Sequence, residues 1–223
     1  EKYRRAEHIK MYIAPEVMLP NTGVSKASGT APPRKTIWYA QLGLWLQMDV
    51  ANAILEMNAG AKNVIDAPVK QWLSFKMEPY RRPAVAVGGA GMASMGGTAG
   101  TPAASELSFD LSPTGRVSNP LYDVVPFSFV VDVAAQDIPA FLQQLSHNRL
   151  ITTDWVSMVP VDTNIQLASP NNFVYGPQPV TRVTVTGEAL YLRSWTEKLM
   201  PDEVKRNDLG IVGPEGATAA GSN

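Results

Sequence analysis

The chain holds two histidines, His8 and His147, and no cysteine. A hydroxyl nucleophile needs a base beside it, most often an imidazole. His8 lies in the N-terminal stretch, while His147 falls at the end of a short amphipathic run. There it suits a surface cap facing the negative end of a helix better than a catalytic base. Two histidines with no nearby carboxylate cluster make a poor metal site. The missing cysteines remove disulfides, thiolate ligands and a thiol nucleophile together. Asp123 and Asp132 lie near one β-like run, and Asp154 and Asp162 flank another. Paired carboxylates perform acid–base chemistry if they meet in space; aspartates at strand ends more commonly serve turns or face solvent.

The stretch VGGAGMASMGGTAGTPAAS, residues 87–105, poses the phosphate question. A phosphate loop needs a strand before it, a helix after it, and glycines spaced so that backbone N–H groups converge. Gly88, Gly89, Gly91, Gly96, Gly97 and Gly100 match neither GxGxxG nor GxxxxGK[ST], and a β-like run follows instead of a helix. Glycine also loses the most entropy on being fixed. The segment is therefore expected to be a flexible tether.

Net charge is −1 and the pI about 6.2. The basic residues form only small isolated pairs such as Arg4-Arg5, Arg34-Lys35 and Arg81-Arg82, so the footprint of a nucleic-acid binder is missing. No cofactor or metal is expected. Tryptophan carries the most informative surface chemistry, because it is enriched where proteins meet. Trp38 and Trp45 fall on the polar side of a helical pattern and Trp72 on the outer side of a strand pattern, making these three the expected interface residues; the bland alternative is that they pack beneath long loops.

The pattern of elements begins with a short mixed stretch and a Pro/Ser/Gly-rich segment, together residues 1–35, expected to be the end of a stalk and a linker. From Thr36, Tyr39, Leu42, Leu46, Val50, Ala53, Ile54 and Met57 recur at helical steps, predicting a long helix that stops at Gly60. APVKQWLSFKMEP alternates, with Val69, Leu73, Phe75 and Met77 inward and Lys70, Trp72, Ser74 and Lys76 outward. YDVVPFSFVVDV puts Val125, Phe127, Phe129, Val131 and Val133 inward, and Pro126 favours an edge or a strand start. Asp137 is the expected N-cap of a short helix carrying Ile138, Phe141, Leu142 and Leu145 on one face. Two further β-rich runs, LITTDWVSMVPVD and VTRVTVTGEALYL, flank a loop-like segment. A helical turn or two and a disordered tail, 201–223, close the chain.

The order αββαββ predicts an α+β fold: four antiparallel strands with two helices on one face and a long insert, residues 86–120, between the first two strands. One domain, residues 36–200, is expected. No apolar run approaches the ~18 residues that cross a bilayer. The chain starts at Glu1 rather than methionine and is expected to be an excerpt whose anchor lies upstream.

This order, with VVPFSFVVDVAAQDIPAFLQQLSHNRLITTDWVSMVPVD as a strand–helix–strand unit, resembles the ferredoxin-like periplasmic domain of PilO and GspM proteins. LWLQMDVANAILEMNAGAKNVIDAPVKQWLSFKM looks like planctomycete versions of that domain. The resemblance implies a non-enzymatic part of a type IV pilus or type II secretion platform, periplasmic and held at the inner membrane by an upstream anchor. It implies pairing with itself or with a related ferredoxin-like domain, and no cofactor. The alternative from another class is a ligand-binding or hydrolytic α+β domain with its site under the 87–105 loop.

Overall fold

A computed structural model of the chain describes residues 1–18, 34–77, 114–116, 118–119, 121–147, 149–168, 172–202 and 204–205. The elements in order are α1 (Lys2–His8), β1 (Tyr12–Ile13), α2 (Pro15–Met18), α3 (Arg34–Met57), β2 (Val69–Met77), β3 (Tyr122–Ala134), α4 (Ile138–Ser146), β4 (Ile151–Val161), α5 (Thr163–Ala168), β5 (Val180–Leu192) and α6 (Arg193–Thr196). The fold is mixed α+β, built on an open sheet of five strands in the order β1-β2-β3-β5-β4. The four long strands are antiparallel neighbours, and β1 adds to β2 in parallel through Tyr12 and Ile13. Four strands were expected from the sequence. The fifth went unseen because a two-residue strand carries no alternation to read.

The stretch EKYRRAEHIKMYIAPE, residues 1–16, expected as the end of a stalk, contributes β1 to the sheet, and Ala6, Tyr12 and the following Val17 are buried. Of the linker expected over residues 20–35, residues 20–33 lie outside the described residues, while Arg34 and Lys35 already belong to α3; most of the 86–120 insert and most of the 201–223 tail also lie outside them.

One face of the sheet carries the main core. Val125, Phe127, Phe129, Val131 and Val133 of β3 and Val183, Val185 and Ala189 of β5 meet Leu42, Leu46, Val50 and Ile54 of α3 and Phe141 and Leu145 of α4. Phe127 stacks near Phe129, and Phe129 meets Phe141 edge-on with centroids 6.2 Å apart. Alternation placed these β3 residues correctly, yet β3 is central rather than at an edge. Among the described residues its ladder to β2 runs as far as Phe127, and Pro126 stands opposite Glu188 of β5. Asp137 makes no side-chain capping bond; a 3-10 turn over Ala135–Asp137 leads into α4 in its place.

The opposite face is covered at one end by a second cluster of Ala6, Tyr12, Val64, Val174, Tyr175 and Val180. Beneath it, Asp132 accepts hydrogen bonds from Arg182 Nε (2.8 Å), Arg182 Nη2 (3.0 Å) and the Tyr175 hydroxyl (2.8 Å). Burial of the tyrosine and the Asp132 charge push the Tyr175 phenol far above its ordinary range.

Candidate functional site: the open β4 edge

The two edges of the sheet are managed differently. At one, β1 and α2 lie against β2. At the other, among the described residues, β4 pairs with β5 alone, from Ile151 opposite Ala189 to Val161 opposite Val180. An edge strand presents unpaired N–H and C=O groups, and proteins blunt it with charge, proline, bulges or short length. This one is eleven residues long, with Asp154 as its single charge and Pro160 near its end. Trp155 is 60% exposed, and Met158 and Val159 are exposed with it. Because Met158 pairs with Val183 and Val159 with Arg182, these two side chains flank the strand on opposite faces of the sheet.

A bulge between Thr153 and Trp155 shapes this edge. The extra residue is Asp154, and beyond it Trp155 stands opposite Thr186 on the face away from the helices. Gly187, opposite Thr153, permits the local geometry: a Cβ there would overlap the Thr152 carbonyl oxygen and press on the Phe127 ring. Both Asp154 carboxylate oxygens are enclosed and accept no hydrogen bond from the described residues. Burial, with the nearby Glu188 charge, pushes this carboxyl above its ordinary range, and Arg116 opposes the shift. Glu188, fully buried, pairs with Arg116 and accepts a hydrogen bond from the Thr114 hydroxyl at 2.8 Å.

The other aspartates have structural partners. Asp123 accepts from Arg193 Nη2 at 2.7 Å, and Asp162 accepts from the Asn164 N–H at 2.9 Å at the start of α5. His147 ends α4, its backbone N–H donating to the Gln143 and Gln144 carbonyls. Lys70, fully buried, donates to the Val64 and Ile65 carbonyls at 3.1 and 2.6 Å, and burial lowers its pKa to about 8. No group of three potential metal ligands occurs among the described residues. A groove of about 150 Å³ beside the end of β4, lined by Val159, Pro160, Asp162, Ile165 and Arg182, is smaller than the ~300 Å³ at which ligand pockets begin. The 87–105 loop lies outside the described residues.

The three tryptophans stand as follows. Trp38 is buried and meets Trp45 edge-on at 5.8 Å; Trp45, half-buried, packs on Tyr191. Trp72 is buried against Phe75, its indole N–H donating to the Ser74 carbonyl. Two register shifts in β2, between Val69 and Gln71 and between Trp72 and Ser74, turn Trp72 into the core rather than outward. Trp38 sits on the shoulder of α3, close enough to the buried stripe for its ring to fold under. Two exposed tryptophans were missed by sequence reasoning, Trp195 on α6 and Trp155, whose outward position depends on the bulge.

No family model matches the chain, and no curated protein does. Solved structures similar to it include a crystal structure from Akkermansia muciniphila, with 8% identity over 86% of this chain and 70% of that one and a TM-score of 0.44. They also include the type 4 fimbrial biogenesis protein PilO from Pseudomonas aeruginosa, with 12% identity over 75% of this chain and 93% of that one and a TM-score of 0.32. The core region of PilO from the type IV pilus system of the same organism matches 34% of this chain and 66% of its own length at 18% identity, with a TM-score of 0.24.

Proposed function

We propose that this chain is a non-enzymatic assembly component of a type IV pilus or type II secretion platform. It works in the periplasm, held at the inner membrane by an upstream anchor, and its β4 edge takes a strand from a second or related domain. The observation that carries the reading is the eleven-residue edge that no other described strand pairs with, with Trp155, Met158 and Val159 exposed beside it. Strand addition draws affinity from main-chain hydrogen bonds and specificity from flanking side chains, and this edge offers both. The resemblance of the strand–helix–strand unit to PilO and GspM domains supports the choice of machine. Tethering both partners to one membrane raises their effective concentration, so a weak edge contact suffices.

The test replaces the native copy, in the organism that encodes it, with a Met158→Lys/Val159→Lys variant. These exposed positions tolerate charge with the fold intact, while lysines on an edge strand oppose further strand pairing. The expected result is a stable, normally abundant protein and a loss of surface pili or of platform-dependent secretion. Wild-type assembly by this variant contradicts the proposal.

A further inference from the structure

α3 is apolar on two opposite faces. Its inner face, Leu42, Leu46, Val50 and Ala53, is buried in the core. On its outer face Ile37, Leu44, Met48 and Leu55 are 50%, 48%, 54% and 62% exposed. Their spacing is i, i+7, i+11, i+18. At about 100° per residue these four fall within roughly 20° of one line along the helix, a ridge about 27 Å long directly opposite the core stripe. Scattered exposed leucines need no explanation; a continuous ridge of four does.

The spacing is symmetric about position 46. Steps of seven, four and seven read the same in both directions, so an antiparallel copy sets Ile37 against Leu55 and Leu44 against Met48. On the flanks the same two-fold sets Ala40 beside Ala51 and Gln41 beside Asn52. Large apolar side chains thus meet large ones, while small or amide side chains fill the flanks and let the helices approach. Seven-and-four stepping is the seam of shallow-angle helix pairs, which keeps the whole ridge in contact. The ridge itself carries no charge; Arg34, exposed in the first turn of α3, lies about 60° round from it. Asp49 and Glu56 sit about 100–120° round the helix, where Asp49 meets the Tyr191 hydroxyl at 3.5 Å and Glu56 pairs with Arg149 at 3.1 Å. Two copies therefore bring no like charges together.

We propose that the outer ridge of α3 is the contact surface between two copies of this chain, paired antiparallel about a two-fold axis at the level of residue 46. An isologous interface must be self-complementary, and the symmetric ridge supplies that property. It stands away from the β4 edge, so one surface makes a pair of copies while the other stays open to a further strand. The inference does not depend on the pilus or secretion assignment.

Sedimentation velocity on the whole 223-residue chain, over a wide concentration range, tests it with four variants. The wild type is expected to dimerise. Leu44→Glu and Met48→Lys each place an unpaired charge against an apolar side chain of the partner copy, and each is expected to weaken dimerisation at least tenfold. The Leu44→Glu/Met48→Lys double variant is expected to recover the dimer, because the antiparallel axis sets each new acid against the partner's new base. Val159→Lys is expected to leave it unchanged. All three positions are exposed, and unchanged far-UV circular dichroism and melting confirm folding. A strictly monomeric wild type overturns the proposal. So does a dimer that survives either α3 single variant, or one abolished by Val159→Lys. Failure of the double variant to recover overturns the antiparallel register.

Discussion

Lys70 is the residue whose burial has the clearest consequence in solution. Its ammonium is enclosed and held by two carbonyls, and the lost hydration lowers its pKa to about 8 from an ordinary lysine value of 10.5. Between those values the unfolded chain keeps a proton that the folded chain has released, so raising pH stabilises the fold. Each unit is worth about 1.4 kcal/mol. Chemical denaturation of the wild type is expected to gain roughly 2–3 kcal/mol from pH 8 to 10 relative to Lys70→Met. Equal pH profiles for the two proteins contradict this account. Above pH 10 the trend reverses, because Tyr175 and Tyr191 are held protonated in the fold and ionise only on unfolding. Gly187 is the second test at this scale. Its Cβ would meet the Thr152 backbone oxygen, which has no flexible side chain to yield. Gly187→Ala is expected to cost about 1–3 kcal/mol by overpacking and to disturb the β4 bulge, read as a lower urea midpoint. A midpoint equal to wild type would show that the bulge does not need glycine.

At the scale of the element, legibility followed the regularity of the backbone. The inner stripe of α3 and the inward face of β3 were readable because an unbroken helix and an unbroken central strand preserve their periods. β2 was misread at Trp72 because each irregularity flips the side chains beyond it to the other face. Helical angle alone puts Trp38 outside, while an indole at the shoulder of a helix reaches the core from there. The site was the least legible part. Sequence alone showed LITTDWVSMVPVD as β-rich, but nothing local says that this strand ends the sheet or that Trp155 turns outward. Strand order is a property of long-range pairing, and the bulge that aims Trp155 rests on a glycine 32 positions downstream. The second apolar face of α3 was in plain view, yet a ridge becomes meaningful only once the opposite face is seen to fill the core.

At the scale of the molecule, β1 and α2 lie against one edge of the sheet, no other described strand pairs with the free side of β4 at the other, and the helix layer ends in an apolar ridge. A domain with these two surfaces can join an assembly without catalysing anything. The open edge is the central claim, and cysteine labelling addresses it most directly, because the chain has no cysteine of its own. Val159→Cys places a thiol beside the edge, and Leu199→Cys places one at an exposed control position. Maleimide modification is timed for each variant as purified chain and in intact cells of the organism that encodes it. The account predicts that the two thiols react at similar rates in the purified chain, and that Val159→Cys alone is slowed severalfold relative to the control in cells. Equal relative rates in both settings would show that nothing occupies the β4 edge and would contradict the account.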